Sequence, residues 1–214
     1  MIENNVIIIL GAGGHAKVLI DALLLASSVV ITGVVDPDLT LTGTEILGVP
    51  VLGGDDVVNE FQPSEVQLIN GLGSVGLPVN RQKIFVRFKD MGCTFVSVIH
   101  PSAVVASDVV FGEGVQVMAG AVIQPGCRIG INSIINTHAS VDHDCNIGDH
   151  VHISPGVTLS GGVTVGACSH IGTGATVIQG ISIGNGCLIA AGAVVTKNID
   201  NEVKVRGVPA REFV

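Results

Sequence analysis

Between Ile99 and Val195, every sixth residue is aliphatic or phenylalanine, without a single interruption. We refer to these seventeen positions as the anchors. The residue four places after each anchor is small or aliphatic, from Ala103 through to Ala193. In an extended chain that residue and the next anchor lie on the same side, and the residue between them lies on the other. Each six-residue step therefore predicts one short strand followed by a turn.

A second period of eighteen residues is superimposed on the first. A glycine follows every third anchor, at Gly112, Gly130, Gly148, Gly166 and Gly184. Three steps therefore form one unit, and a coil of three short strands and three corners is a parallel β-helix with a triangular cross-section. Glycine is expected at the corners because tight turns need positive φ angles or strained backbone. Residues 99–195 provide about 5.4 coils, and at ~4.8 Å per stacked strand the prism is roughly 25 Å long.

The first 97 residues follow a different pattern, in which apolar strand segments alternate with helical ones. This alternation predicts a small parallel α/β sheet of the Rossmann type. Strands are predicted at Val6–Leu10, Val29–Val35, Val66–Asn70 and Thr94–Val98, with one helix containing Val18–Ala26 and another from about Pro78 to Met91. The predicted domains are therefore residues 1–97 and residues 98–214, the second of which ends in a C-terminal cap.

Composition narrows the classes of function. The 214 residues include 10 Lys and Arg against 18 Asp and Glu, without a basic run, which argues against binding to nucleic acid or to anionic membrane surfaces. Aromatic residues make up only 3%, too few to stack on single-stranded nucleic acid. No apolar run approaches ~20 residues, so no membrane insertion is expected, and the polar start Met1–Asn5 is unlike a signal peptide. We expect a cytoplasmic protein whose five scattered cysteines are reduced, buried thiols.

The segment Gly11–Ala16 fits the pattern G-x-G-x-x-[G/A] between a strand and a helix, and Asp36 ends the next strand. Backbone N–H groups of such a loop, together with the helix N-terminus, bind a pyrophosphate, and the carboxylate reaches a sugar hydroxyl. A nicotinamide dinucleotide and a nucleotide-linked sugar both satisfy this pattern, and so does a tight turn without a ligand. Residues 1–97 are short for a six-stranded dinucleotide fold, which disfavours a nicotinamide-dependent oxidoreductase.

Six of the seven histidines lie at or beyond position 100, most of them on a face that we expect to be wet. Asp142, His143 and Asp144 form a corner that projects outward. A histidine flanked by carboxylates suits a general base, because a carboxylate bonded to one ring nitrogen makes the other a better acceptor; the alternative is a solvated polar corner without a catalytic role. His152 and His170 stack on the side opposite His143, so a site that uses His143 and His152 together must lie between neighbouring subunits.

Four segments together resemble the hexapeptide-repeat sugar O-/N-acetyltransferases of bacteria: Gly11–His15, Ile99–Ala103, Asn136–Cys145 and Gly207–Ala210. This family includes the sialic acid O-acetyltransferases. The chain is most similar to the nucleotide-4-amino-sugar N-acetyltransferases of bacillosamine and perosamine synthesis, over essentially its whole length. The resemblance implies a left-handed β-helix, a homotrimer with active sites between subunits, and acetyl-CoA as co-substrate, with no metal. It also implies that residues 1–97 bind the nucleotide-sugar and residues 98–214 carry the acetyl transfer.

The same resemblance implies roles for individual residues. His143 is the base that deprotonates the sugar amine, and Asp144 raises its basicity. His152 and the backbone at Gly161 and Thr173 contact acetyl-CoA. The nucleotide-linked amino-sugar is held by Gly13, Gly14, His15, Asp36 and Gly73. The expected reaction is direct transfer of an acetyl group to the 4-amino group of a nucleotide-linked 4-amino-4,6-dideoxy sugar, in the biosynthesis of bacterial surface glycans.

Three other functions stay open from the sequence. The acceptor could be a hydroxyl group, as in a sialic acid O-acetyltransferase. A sugar-binding module or scaffold without activity also fits the repeats. A zinc enzyme of the γ-class carbonic anhydrase type needs two histidines five residues apart and a third from an adjacent subunit; His138 and His143 have this spacing, but Ser102 occupies the position of the third ligand.

Overall fold

The computed structural model describes residues 6–26 and 30–213. Within these residues, an open α/β sheet forms the N-terminal part and short strands stacked in a three-sided prism form the rest. The change from one to the other falls between the strand that ends at Phe95 and the strand that begins at Val98. No helix in the described part of the chain is long and apolar enough to cross a membrane.

The α/β sheet has the strand order β3-β4-β2-β1-β5-β6 and is parallel except for the antiparallel pair β3–β4. Its strands are β1 (Val6–Leu10), β2 (Gly33–Val35), β3 (Glu45–Ile46), β4 (Val49–Gly53), β5 (Val66–Asn70) and β6 (Thr94–Phe95). The helices are α1 (Gly14–Ala26) and α2 (Val79–Asp90), with short 3₁₀ turns at Leu39–Leu41 and Asp55–Glu60.

The two helices cover opposite faces of the sheet. Ile7 and Ile9 of β1 pack in one buried cluster with α1, whereas Ile8 and Leu10 pack in another with Phe85 of α2. A strand that is buried on both faces has a continuous run of apolar residues in its sequence, as β1 does. From β1 the chain proceeds to β2 on one side, and from β5 to β6 on the other. The carboxyl ends of β1 and β5 therefore form the topological switch point, where open α/β sheets bind their ligands.

Two strand predictions in this part differ from the structure, and one hairpin was not predicted. The predicted strand Val29–Val35 is shortened to Gly33–Val35, and Val29, like Met1–Asn5, lies outside the described residues. The predicted strand Thr94–Val98 is divided, because its last residue already belongs to the prism. The hairpin β3–β4 was not predicted at all: Pro50 lies opposite Glu45 within it, and a proline normally argues against a strand.

The prism has three parallel faces, each built from every third strand. The first face contains β7 (Val98–Ile99), β10 (Gln116–Val117), β13 (Ile134–Ile135), β16 (His152–Ile153), β19 (His170–Ile171) and β22 (Leu188–Ile189), extended by β24 (Lys204–Arg206) and β25 (Arg211–Glu212). The second contains β8 (Val104–Val105), β11 (Val122–Ile123), β14 (Ser140–Val141), β17 (Thr158–Leu159), β20 (Thr176–Val177) and β23 (Val194–Val195). The third contains β9 (Val110–Phe111), β12 (Arg128–Ile129), β15 (Asn146–Ile147), β18 (Thr164–Val165) and β21 (Ser182–Ile183).

The anchors form the interior of the prism as the six-residue period predicts. Every anchor from Val117 to Val195 is buried, and neighbouring strands of a face are in register eighteen residues apart, as in Ile135 with Ile153. Cys127 and Cys145 lie inside, one coil apart, as free thiols. The expectation of buried cysteines is wrong for Cys168, which sits at a corner and is partly exposed.

The reason why glycine is required at the positions of the eighteen-residue period differs from the one expected. A Cβ atom at Gly130 would lie 2.6 Å from the backbone nitrogen of Asp149 in the next coil, so a side chain is excluded by the close approach of adjacent coils and not by its φ angle. The left-handed conformation occurs at another corner position, which Gly126 and Gly162 occupy. At four successive corners this position carries a side chain instead, with φ between 53° and 60°: Asn132, His138, Asp144 and His150.

The α/β sheet and the first face of the prism share buried contacts. Val98 and Met118 of the prism pack in the same cluster as α1, and Ile131 packs against the cluster that contains Phe85. The division into domains 1–97 and 98–214 therefore stays a prediction, because the two parts are joined by a common core.

Candidate active site

A cavity of about 640 Å³ opens at the switch point between β1 and β5. This volume is in the usual range for a small-molecule site. The loop after β1, the loop Gly71–Val75 after β5 and two side chains of the prism, Asn136 and His152, line it. All five residues predicted to hold the nucleotide-sugar lie on its wall: Gly13, Gly14, His15, Asp36 and Gly73. The structure thus brings these residues together.

Asp36 braces the glycine-rich loop. Its Oδ2 accepts a hydrogen bond from the Ala12 N–H at 2.7 Å, and its Oδ1 accepts one from the Asp38 N–H at 2.9 Å. Gly13 and Gly14 are exposed, and a Cβ atom at either would meet only open space. Because α1 begins at Gly14, the free N–H groups of its first turn face the cavity, which suits an anionic group of a ligand.

His15 follows this loop at the start of α1, and its imidazole ring points from the cavity toward the prism. Its Nε2 lies 2.7 Å from Oε1 of Gln116, a side chain of β10. Burial, together with the charge of Arg81, lowers the pKa of His15 to about 4, so the ring is neutral at neutral pH.

His152 and His170 stack on the first face as predicted, with ring centroids 5.0 Å apart. The expectation that they lie on a wet face is wrong, since both are buried beneath the loop after β5. Ser74 of that loop lies 2.7 Å from Nδ1 of His152, and Asn136 donates to its Nε2 at 3.0 Å. Burial strongly lowers the pKa of His152. His152 therefore borders the cavity as a neutral ring with both nitrogens engaged.

Arg81 of α2 lies fully buried behind the cavity floor. Its Nη1 donates to the carbonyl oxygens of Asn70 and Leu72, and its Nε donates to the carbonyl oxygen of Asn132 in the prism. Burial lowers the pKa of Arg81 to about 9, so it remains a cation at neutral pH. The guanidinium thereby holds the loop after β5 against the prism and adds a positive charge behind the site.

His143 and Asp144 form a dyad at an exposed corner between the second and third faces. Nδ1 of His143 lies 2.8 Å from Oδ2 of Asp144. The carboxylate accepts the Nδ1 proton, which leaves Nε2 as a free acceptor. This hydrogen bond, followed by the charge of Asp142, raises the pKa of His143. A more basic ring with a free acceptor nitrogen is the arrangement that a general base requires.

Gly161 lies one coil after His143 and makes room for its ring. A Cβ atom at position 161 would lie 2.5 Å from Nε2 and 2.6 Å from Cε1 of His143. Thr173 lies at a different corner, between the first and second faces. Within residues 6–26 and 30–213, neither the Gly161 N–H nor the Thr173 N–H has a protein acceptor.

The predicted site residues therefore fall into separate places on one chain. The cavity and His152 belong to the first face, whereas His143, Asp144 and Gly161 occupy the corner opposite that face, and Thr173 occupies another corner. The structure brings the nucleotide-sugar residues together and the dyad together, but it does not bring these two groups together within one chain.

Neither a metal centre nor a reactive thiol is apparent in the described part of the chain. No three His, Cys, Asp or Glu side chains among these residues are grouped as metal ligands, and His138 and His143 lie at different corners. Burial raises the pKa of Cys145 to about 11, so its thiol is protonated inside the prism and is a poor nucleophile.

Several residues that line the cavity or support it from behind were not predicted as site residues. Ser74 and Asn136 stand beside predicted motifs and could have been found from them. Asp55 lies shortly after β4, and because that strand was not predicted, Asp55 was not recognised as a residue at the carboxyl end of a strand. Gln116 and Arg81 had no local signal, because their roles depend on contacts between segments far apart in the chain.

Comparison with known proteins agrees with this architecture. Residues 6–88 match the family model described as the PglD N-terminal domain. A variant of perosamine N-acetyltransferase from Caulobacter crescentus, solved in complex with CoA and GDP-perosamine, is 40% identical with a TM-score of 0.90, over 98% of this chain and 97% of that one. The acetyltransferase domain of PglB from Neisseria gonorrhoeae FA1090, solved with acetyl coenzyme A, is 35% identical with a TM-score of 0.89, over 98% of this chain and 100% of that one.

WeeI from Acinetobacter baumannii AYE is 27% identical with a TM-score of 0.76, over 97% of this chain and 99% of that one. A comparison with curated protein sequences gives no match. The fold and the likenesses define an acyltransferase with a Rossmann-like α/β part followed by a left-handed β-helix of hexapeptide repeats. Within that class, the chain belongs to the family of the perosamine and bacillosamine-type N-acetyltransferases.

Proposed function

We propose that this protein transfers the acetyl group of acetyl-CoA to the 4-amino group of a nucleotide-linked 4-amino-4,6-dideoxy sugar. The observation that carries the proposal is the dyad: His143 has its Nδ1 bonded to a carboxylate, its Nε2 without a partner among the described residues, and its pKa raised. The cavity supplies a second argument, because it joins a glycine-rich loop at a helix N-terminus to polar side chains of the prism. The relatives solved with CoA, GDP-perosamine or acetyl coenzyme A support both substrates.

In this proposal the nucleotide-sugar occupies the cavity. The N–H groups around Gly13, Gly14 and His15 face the diphosphate, as helix N-termini do in dinucleotide-binding folds. Asp36 keeps the loop in place and offers its remaining lone pairs to a sugar hydroxyl. Gly73 closes the opposite wall, and it packs against His15.

The chemistry is direct transfer. Nε2 of His143 removes a proton from the amine as the amine nitrogen forms a bond to the thioester carbonyl carbon. The tetrahedral intermediate then collapses with cleavage of the C–S bond, and the leaving CoA thiolate takes up the proton carried by the His143 imidazolium, which restores the neutral base. Asp144 stabilises the imidazolium that forms on His143 in the first step. A covalent acyl-enzyme is disfavoured because burial raises the pKa of Cys127 and Cys145.

The acetyl-CoA is expected to contact the backbone N–H groups at Gly161 and Thr173, which lack protein acceptors in the described residues. An N–H group of this kind can donate to the CoA chain or to the developing oxyanion. His152 lies where the cavity meets the prism and would border the acetyl group as a neutral ring. Acetyl-CoA is a cytosolic metabolite, so the proposed reaction fits a cytoplasmic protein.

We further infer a homotrimer in which each active site lies between subunits. The cavity on the first face and the dyad at the opposite corner are too widely separated on one prism to act on one sugar. A second copy of the chain can bring its dyad to the cavity of the first. In this assembly residues 1–97 of one subunit bind the nucleotide-sugar and residues 98–214 of the two subunits hold acetyl-CoA.

The reaction is tested by thiol release from acetyl-CoA with a panel of UDP-, GDP- and dTDP-linked 4-amino-4,6-dideoxy sugars, with sialic acid included. Turnover of one amino-sugar that is lost in His143→Ala supports the proposal. Turnover of sialic acid alone would move the protein to the O-acetyltransferases, and no turnover with any acceptor would contradict acetyl transfer to this class of sugar.

The shared site is tested by mixing subunits. His143→Ala subunits and Asp36→Ala subunits are each expected to be inactive, whereas an oligomer that contains both regains activity, because one of its interfaces combines an intact dyad with an intact cavity. A monomer that keeps full activity on dilution would refute the arrangement between subunits.

A further inference from the structure

Gln116 is a buried polar side chain on the first face of the prism, which also carries the buried rings of His152 and His170. It lies in register between Val98 and Ile134 on the first face of the prism, and its side chain is fully buried against the α/β sheet. Its Oε1 lies 2.7 Å from Nε2 of His15, which is 101 residues away in the chain. The reaction described above assigns no role to Gln116.

The orientation of the Gln116 amide follows from its second contact. Its nitrogen lies 2.8 Å from the carbonyl oxygen of Asn70, which can only accept a hydrogen bond. The amide nitrogen must therefore face Asn70, and the amide oxygen must face His15. Because that oxygen can only accept as well, Nε2 of His15 must carry a proton.

The other nitrogen of His15 is consequently a lone-pair acceptor. A neutral imidazole carries one ring proton, and the burial of His15 together with the nearby charge of Arg81 disfavours a second one. Among the described residues, Nδ1 of His15 has no hydrogen-bond partner. In that part of the chain, the one side-chain polar atom that is both buried and unpartnered is Nη2 of Arg81. Since Nδ1 of His15 is unpartnered too, it must be accessible to solvent. His15 lines the cavity, so a ligand in the cavity can reach this nitrogen.

We propose that Gln116 is a positioning residue of the substrate cavity: it holds His15 with the proton on Nε2, so that Nδ1 accepts a hydrogen bond from a hydroxyl or N–H group of the nucleotide-linked sugar. The identity of that ligand rests on the proposed function. A lone pair repels phosphate oxygens, so the His15 side chain recognises a neutral donor on the sugar or the ribose. The N–H groups of the loop remain the contacts for the diphosphate.

The tautomer is tested without any substrate by nitrogen-15 NMR of the protein labelled at histidine. The spectrum of the wild-type protein at neutral pH is expected to contain a single neutral His15 ring, with a protonated Nε2 and a bare Nδ1. In Gln116→Met both tautomers should be populated. A proton on Nδ1 of His15 in the wild-type protein would overturn the proposal, even if the variant does not fold.

Steady-state kinetics test the consequence for the substrate. Gln116→Met should raise KM for the nucleotide-sugar roughly threefold to tenfold, the equivalent of one hydrogen bond, and leave KM for acetyl-CoA unchanged. The matched control is Gln62→Met, which removes an exposed glutamine of the α/β part that does not line the cavity. Thermal unfolding of each variant separates loss of fold from loss of binding.

A double-mutant cycle then asks whether Gln116 acts through His15. His15→Asn retains an acceptor oxygen near the position of Nδ1 but cannot reach Gln116. In that background Gln116→Met should not raise KM further, whereas an additive increase would refute an action through His15. If no nucleotide-sugar is turned over, the proposed function fails, yet the NMR measurement still decides the tautomer. The two failures are therefore distinguishable.

Discussion

Substitution of Gly161 by alanine tests whether the position of the His143 ring controls catalysis. The added Cβ atom would lie 2.5 Å from Nε2, and ordinary contact begins at 3.4 Å, so the ring must move by about 0.9 Å. The side chain of His143 is 52% exposed and can move outward without disturbing the core. We therefore expect a large loss of catalysis with little loss of stability.

The size of the loss follows from the displacement. A shift of about 1 Å in a catalytic group costs roughly 10²-fold in rate, and general-base catalysis as a whole contributes roughly 10²–10⁴-fold. Gly161→Ala should thus lower kcat by about 10²-fold, measured by thiol release at saturating substrates. KM for the nucleotide-sugar should stay the same, because Gly161 is not among the residues that line the nucleotide-sugar cavity.

The neighbouring glycine provides the control. Gly162 has φ of +67°, and a Cβ atom there meets nothing within 4 Å. Gly162→Ala should therefore reduce the unfolding temperature through backbone strain and leave kcat near the wild-type value. In a His143→Ala background, Gly161→Ala should cause no further loss. A Gly161→Ala enzyme within about threefold of wild-type kcat would refute the link between ring position and rate.

Three further substitutions test the dyad and the join between the two parts of the chain. His143→Ala should lower kcat by roughly 10²–10⁴-fold, and a turnover close to that of the wild type would remove His143 from the role of base. Asp144→Asn removes the carboxylate that raises the pKa of His143, so the acid limb of the kcat/KM–pH profile should move to lower pH and the plateau should fall; an unchanged limb would contradict the dyad. Arg81→Met leaves three backbone carbonyl oxygens without a charged donor and should lower the free energy of unfolding by about 2–4 kcal/mol in urea titrations, whereas the exposed Arg87→Met should change it by less than about 1 kcal/mol.

The repeat could be predicted from sequence because one local rule operates at every coil. An aliphatic anchor at every sixth residue, with a small residue four places on, fixes both the strand and the side that it buries. The same rule predicted the outward corner at His143 and the stacking of His152 with His170. The hairpin β3–β4 obeys no such rule: it is short, lies at the edge of the sheet and includes Pro50, so local preference points to a loop.

Only one wall of the cavity, the glycine-rich loop, could be predicted from the sequence. The residues of this loop can be recognised within one continuous segment, since a strand, a tight turn and a helix N-terminus follow one another in the sequence. The opposite wall depends on how the loop after β5 folds over the prism, and this contact buried His152 where solvent was expected. The pairing of His15 with Gln116 likewise joins residues that no pattern within either segment connects.

At four successive corners of the prism, the position with positive φ carries a side chain instead of glycine. This has a consequence for locating functional segments in a repetitive β-helix. A left-handed conformation costs a residue with a side chain roughly 1 kcal/mol or more, yet Asn132, His138, Asp144 and His150 all accept it. Asp144 is half of the dyad, and the side chains of Asn132 and His150 bond to each other under α2. Elsewhere in the prism the same conformation falls on two isolated residues, Cys168 and Glu202, so residues 132–150 are the stretch in which it recurs at successive corners. In a chain this repetitive, a run of successive departures from glycine marks a segment whose side chains do more than stack.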